Sequence, residues 1–377
     1  MFAVSHKGSN AMNMDYKILK IPFRQAVAHS QAKRHSSDSV LIIASEENII
    51  AYGECLPRMY VSRENIETVI SFLNQFKQTL EKIGSLNSLK EFMIDNTSVI
   101  DLNPAAWCAC ELAIIDFLAK KDGVTSENFL GLPPLLSNYI FSAVVPKLSD
   151  KSFDTAIVRV MKMGIKDLKF KITGNESDYF LDRLKELSTE DGIRLRADAN
   201  NLWPSVDQCL DYFSKTQIPW YAVEEPLVYH GNAKYLDEIQ ALAEQIPGFV
   251  ILDDSFQRKQ DIVSLRENPK FIFNLRISKL GGILRTIDLL EYLERNKVII
   301  GCHVGETSLL TRVALSLGKG ANVIAREGAY SDHLLQYDPL NPNLKFGFNG
   351  SLEIDQQYFS SAMGYGMEYK EDKNVLK

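Results

Sequence analysis

Five ionisable residues recur at nearly one period through the middle of the chain: Lys171, Asp198, Glu224, Asp253 and Lys279, separated by 27, 26, 29 and 26 residues. Each closes or follows a short run, in Leu168-Lys169-Phe170-Lys171, Arg194-Leu-Arg-Ala-Asp198, Ala222-Val-Glu224, Val250-Ile-Leu-Asp253 and Arg276-Ile-Ser-Lys279. A parallel (β/α) barrel uses roughly 30 residues per strand–helix unit and gathers its strand ends at one mouth. The period therefore predicts that all five side chains meet there. Three oxygen-only ligands, Asp198, Glu224 and Asp253, suit a hard cation that keeps water and substrate in its remaining positions, which is the habit of magnesium, with manganese as the alternative ion. A cation held by those carboxylates makes sense of the flanking lysines. The proton next to a substrate carboxylate is very weakly acidic, and its removal becomes feasible when the enediolate is stabilised by fixed positive charge. A neighbouring cation favours a neutral, proton-accepting lysine. Lys169 and Lys171 lie on one face of their strand, so alternation alone leaves either as the inward base.

The elements that must position these groups follow from periodicity. From about residue 139, short apolar stretches alternate with helical ones, the pattern of parallel strands joined by crossover helices. Eight strands are predicted, at 140–145, 167–171, 194–198, 222–224, 250–252, 273–277, 298–302 and 321–324, with helices at 153–163, 180–187, 235–243 and 283–293. Before them, alternation over 16–53 predicts a small antiparallel sheet interrupted by a long polar loop at 25–37, followed by helices at 64–83 and 104–120. After Asp338 the prolines and glycines argue against another barrel helix. The expected fold class is α/β: a (β/α) barrel of the modified TIM type, (β/α)7β, over 131–338. An N-terminal α+β capping domain over 1–130 is completed by the tail, 339–377.

Composition sets the limits. With 377 residues, 45% hydrophobic and 24% charged, the chain has apolar surface enough for a large globular core. A net charge of −6 with scattered basic residues gives no electrostatic case for nucleic acid or an anionic membrane. The expected partner is a small-molecule carboxylate. No apolar run is long enough to span a bilayer, and the first sixteen residues lack a secretory core, so a cytoplasmic protein is expected. Cys55, Cys108, Cys110, Cys209 and Cys302 match neither a disulfide framework nor zinc spacing and read as reduced core residues.

Lys169-Phe-Lys171, Asp198-Ala-Asn200, Val223-Glu-Glu-Pro226, Asp253-Asp-Ser255 and Lys279-Leu-Gly-Gly282 together resemble the ordered motifs of the enolase superfamily, and most closely its muconate-lactonizing-enzyme subgroup. Tyr52-Gly-Glu-Cys-Leu-Pro57 and Ala113-Ile-Ile-Asp116 extend the resemblance into the first domain. That subgroup includes muconate cycloisomerases, o-succinylbenzoate synthases and dipeptide epimerases. The resemblance implies magnesium on Asp198, Glu224 and Asp253, Lys171 in preference to Lys169 as one acid/base, and Lys279 as the other on the opposite substrate face. Asn200, Glu225 and Asp254 would orient these groups from behind. It also implies that loops of the first domain, here 25–37 and 56–63, cover the mouth, with His29, Arg34 and Tyr60 as candidates for gripping a distal substrate group; Arg34 suits a second carboxylate.

His303 and Glu306, in Gly301-Cys-His-Val-Gly-Glu306, belong to the same mouth as pocket-lining candidates. Dipeptide epimerases of this type carry an Asp-x-Asp pair after the eighth strand. The stretch from Gly328 to Leu334 lacks it, and a muconate-type acidic residue is not evident there. The expected activity is a magnesium-dependent isomerase or lyase working through an enediolate: cycloisomerase, racemase/epimerase or o-succinylbenzoate-forming. The alternatives are an acid-sugar or hydroxy-acid dehydratase using His303 and a catalytically silent barrel serving as a binding module. Assembly as a symmetric homo-oligomer is expected.

Overall fold

Apolar and polar residues alternate along Leu19, Lys20, Ile21, Pro22 and Phe23, so one face of this segment is buried and strand pairing follows. In the computed structural model, which describes residues 12–29, 32–146, 149–231, 233–318 and 322–371, it belongs to β1 (Asn13–His29). β1 pairs antiparallel with β2 (Ala32–Glu46), and β2 with β3 (Ile49–Cys55). The segment 25–37, expected as a loop, is instead an extension of the β1–β2 hairpin. After a register shift between Pro22 and Val27, pairing resumes at Val27↔Arg34 and runs to His29↔Ala32. Arg24, Gln25 and Ala26 are all exposed, so this arm has no buried face from which alternation could be read.

Against the sheet lies the helix Pro104–Lys121, buried on every side from Pro104 to Ala119 because it is sandwiched between sheet and barrel. Gly53 makes that approach feasible: a Cβ there would stand 2.0 Å from the Ala109 carbonyl oxygen. The five cysteines are free and buried.

After β4 (Asn138–Ile140) come eight parallel strands in consecutive order: β5 (Ala143–Val145), β6 (Asp167–Lys171), β7 (Arg194–Asp198), β8 (Ala222–Glu224), β9 (Phe249–Leu252), β10 (Phe271–Arg276), β11 (Lys297–Gly301) and β12 (Val323–Glu327). A bridge between Ser142 and Glu327 joins the first strand to the last and nearly closes the barrel. The expected first strand, 140–145, splits because Ile140 pairs away from the barrel, in β4, with Ser351. The expected eighth, 321–324, is displaced: its first residue lies outside the described ones, and the strand continues to Glu327. An acidic residue, Glu327, thus stands at the strand's end, directly before the 328–334 stretch.

Alternation then sorts the barrel. Leu168, Phe170, Val250, Leu252, Phe273 and Leu275 join the main core beneath the helices, while Ala222, Ile251, Ile272 and Ile299 fill the barrel's interior. One layer higher the interior turns ionic. Arg196 bonds Asp167 at 2.8 Å and Glu327 at 2.6 Å, and Lys169 bonds Glu327 at 2.9 Å. The tail returns to the N-terminal elements, where Tyr365 N donates to Asp116 at 2.7 Å and the Tyr369 ring sits 6.3 Å from that of Tyr52. Among the described residues no helix is long and apolar enough to cross a membrane.

Candidate active site

Four of the five periodic residues converge. Register pairs Lys171 with Asp198 and Asp198 with Glu224, and Asp253 directly follows β9, so their side chains line one cavity of about 110 Å³ at the carboxyl ends of the strands. Lys171 is the least enclosed of them, with Nζ 3.4 Å from Asn200 Oδ1 and 3.7 Å from Asp198 Oδ2. Asn200 in turn donates to Asp198 Oδ1 at 2.6 Å and so holds base and carboxylate in one frame.

Lys169 does not act as a free amine here. It is buried, with Nζ 2.8 and 2.9 Å from the two Glu224 oxygens and 2.9 Å from Glu327, and although burial alone would lower its pKa, these carboxylates raise it. The residue is a buried cation beneath the carboxylates, whereas Lys171 is the lysine of this strand with a partly open amine.

Lys279 also departs from expectation. It belongs to the short helix Ile277–Leu280 that follows β10, it is fully buried, and it does not line the cavity. Its Nζ lies behind Asp253, donating to that residue's backbone oxygen, to Oδ1 at 3.2 Å and to Asn274 O at 3.2 Å, and 4.3 Å from the Phe256 ring centroid. The cation that reaches the mouth from this strand is Arg276, its last residue. Arg276 contacts Asp253, stands 4.0 Å from Glu224 and lines the cavity. Its register partner is Gly301, where a Cβ would come within 3.0 Å of the Arg276 side chain.

The charges are strained toward positive ligands. Burial, then repulsion from Glu327, Asp198 and Asp253, pushes Glu224 well above the carboxylate range despite the attraction of Lys169. For Asp253 burial works in the same direction, but Arg276 and Lys279 outweigh it and hold the group low. Among the described residues no three acidic, histidine or cysteine side chains already surround one point closely enough to hold a metal ion. Each carboxylate is instead turned onto a cation of its own. The donor set nonetheless fits a hard divalent ion, being oxygen-only and drawn from the ends of three adjacent strands.

The supporting residues are placed as follows. Glu225 Oε1 accepts from Asp253 N at 2.6 Å and from Ser255 N and Oγ at 2.9 Å, fixing the turn that carries Asp253. Asp254 lines the cavity, its carboxyl raised to about 6 by burial and by Asp253. His303 lines it too, with Nδ1 3.0 Å from Glu306 Oε1, whereas Glu306 stands behind. Tyr60 forms part of the roof, and Arg34, half-buried, stacks over it at 5.4 Å. The side chain of His29 lies outside the described residues. Sequence reasoning missed Arg58, which lines the roof and donates to the backbone oxygens of Pro57 at 3.0 Å and Asp38 at 3.1 Å. Its position beside Pro57 in the covering loop was the available signal.

Residues 153–373 match the family described as Enolase C-terminal domain-like. The chain is 23% identical over 359 residues to a hydrophobic dipeptide epimerase of Enterococcus faecalis, covering 93% of this chain and 97% of that one. It is 21% identical over 290 residues to an o-succinylbenzoate synthase of Listeria innocua, covering 75% and 74%. The crystal structure of the Enterococcus faecalis dipeptide epimerase complexed with Mg and the dipeptide L-Leu-L-Tyr superposes with a TM-score of 0.82 at 19% identity, over 96% of this chain and 100% of that one, a likeness of fold.

Proposed function

Since the chain belongs to the Enolase C-terminal domain-like family, we propose that it is a magnesium-dependent isomerase or lyase that removes the proton α to a substrate carboxylate. One observation carries this reading: Lys171, Asp198, Glu224, Asp253 and Arg276 come from five consecutive barrel strands or their ends and reach one mouth. Held by Asp198, Glu224 and Asp253, the divalent ion would set positive charge against the substrate carboxylate. Lys171 is the base. Asn200 holds its amine beside the mouth, and Lys169 beneath adds a fixed positive charge that favours the neutral amine. Arg276 presents a planar cation to the negative charge that develops as the proton leaves. Arg58 and Tyr60 close the roof and exclude water from the reacting carbon.

The relatives that act on dipeptides support N-acylated amino acids as the first substrate class to try, and a symmetric homo-oligomer is the assembly expected, a light-scattering mass of one chain counting against it. The test of the reaction is deuterium uptake from heavy water at the α-carbon of N-acyl amino acids, dipeptides and cyclohexadiene carboxylates. Uptake that requires magnesium and vanishes in Lys171→Ala is expected. Uptake by none of these acids counts against the reading.

A further inference from the structure

We propose that the exposed Phe348 and the two hollows beside it form a self-complementary interface, on which a second copy of this chain docks about a two-fold axis. The inference concerns assembly and stands apart from the reaction, since neither hollow shares a lining residue with the catalytic cavity.

The surface is built on a turn in the tail. Phe348 is 71% exposed, yet the backbone around it is held at three points. Gly347 N donates to Ser351 O at 2.7 Å, Asn349 N to Met163 O at 2.5 Å, and Phe141 N to Gly350 O at 2.9 Å. Asn349 and Gly350 take left-handed φ values of +60° and +66°, which these two residue types accept most readily. The ring itself rests on Gly164, where a Cβ would come within 2.6 Å of it. A lone exposed apolar side chain is ordinary. An aromatic ring fixed outward by its own turn is a preorganised knob, which loses little freedom when it is covered.

Two hollows flank the turn and have only Gly347 and Phe348 in common, so the turn is the ridge between them. One, of about 620 Å³, lies against the helix Asp150–Lys162. Thr155, Val158, Arg159 and Lys162 recur there at helical spacing and form a single face, while Phe153 and Ile157 pack into the core. The other, of about 690 Å³, lies against the tail, with Leu344, Tyr358 and Phe359 among its walls.

The hollows differ in charge. Arg159 and Lys162 are the fixed cations of the first, whose His333 is met by Phe346 O at 3.2 Å and Asp332 at 3.7 Å. In the second, Glu353 and Asp355 outnumber Lys345. These five charged side chains are exposed and enter no salt bridge among the described residues, whereas Asp154, elsewhere on the same helix, is paired with Arg183 at 3.2 Å.

Symmetry turns this opposition into a fit. In a two-fold pairing, if residue i meets residue j of the second copy, then j meets i. With the axis lying in the interface and passing by Phe348, the two rings meet at the centre. Each copy's basic hollow then faces the acidic hollow of the other, twice over. An apolar ridge with both signs beside it therefore matches itself, and its two carboxylates disfavour an anionic bilayer as the occupant.

The test is the mass of the full chain by light scattering at micromolar concentration. The parent should give at least twice 42.6 kDa, and Phe348→Asp should at least halve that value. Arg159→Glu with Lys162→Glu makes both hollows acidic. Glu353→Lys with Asp355→Asn makes both basic, and the amide keeps the helix cap that Asp355 gives to Tyr358 N at 2.9 Å. Each double variant alone should associate roughly 10²-fold more weakly, because like charges meet across the axis. Mixed in equal amounts, the two should restore association as a heterodimer, a rescue that damage to the fold would not produce. A monomeric parent, a parent mass that none of these changes lowers, or no rescue on mixing the two folded double variants overturns the interface.

Discussion

The molecule buries two sets of carboxylates and satisfies them by opposite means. At the seam between the N-terminal elements and the barrel, Glu64 accepts from Ala105 N and Ala106 N, Glu111 from Ile283 N and Leu284 N, and Asp116 from Tyr52 N and Tyr365 N. At the mouth, Glu224, Glu327 and Asp253 are met by the side-chain cations Lys169, Arg196, Arg276 and Lys279. Backbone amides cannot leave without unfolding an element, so the seam carboxylates act as joints. A side-chain cation can turn away and leave its carboxylate to another positive ligand. The difference separates the residues that hold the structure from those that do chemistry on it, although all are acidic and all are buried.

Removing one charge from each set should expose the contrast. Glu224→Gln at the mouth is expected to lower α-proton exchange by roughly 10³-fold with the thermal transition kept, read by heavy-water exchange beside calorimetry. At the seam, Asp116→Ala strips an acceptor from two buried amides and from Lys120, 2.7 Å away. It should cost about 3 kcal/mol in urea unfolding, at the scale of buried donors left unsatisfied, with the exchange rate of the folded fraction little changed. A catalytic collapse in folded Asp116→Ala, or an unfolded Glu224→Gln, would erase the distinction.

The smaller effect is on pH dependence. Burial raises Glu54 and Glu64 to about 7 and Glu111 to about 8, above their unfolded values near 4.5. Across that window the folded state binds more protons than the unfolded one, so each group makes stability fall as pH rises, by at most about 1.4 kcal/mol per pH unit. The protein should therefore be more stable near pH 5.5 than near pH 8 as far as the seam is concerned. Glu54→Gln should flatten the slope between pH 4.5 and 7 in urea titrations at several pH values, and an unchanged slope would show that Glu54 does not titrate there.

What could be read from the sequence follows the same division. β6, β7 and β8 fall where periodicity puts them, and Lys171, Asp198 and Glu224 with them, because apolar residues recur at every second position of β6 and β7 and each of the three strands ends in its functional residue. The reading failed where a strand end was misjudged. Extending the sixth strand to 277 made Lys279 the first ionisable residue beyond it, whereas the strand stops at Arg276 and a single helical turn carries Lys279 behind Asp253. Stopping the eighth strand at 324 hid Glu327. The buried carboxylates between sheet and barrel were only partly legible: Glu54 and Asp116 stood in quoted motifs, but the amide and hydroxyl of Thr307 that meet Glu54 and the Tyr365 amide that meets Asp116 come from distant segments, which no local pattern announces.

The most direct measurement is of magnesium-dependent deuterium incorporation at the α-carbon of an N-acyl amino acid or dipeptide, made on the parent chain before and after chelation and on Asp253→Asn. Uptake is expected to disappear on chelation, to return with added magnesium and to be absent in folded Asp253→Asn. Undiminished uptake in the chelated protein, or in Asp253→Asn, would contradict the claim that these carboxylates assemble the site where the proton is lost.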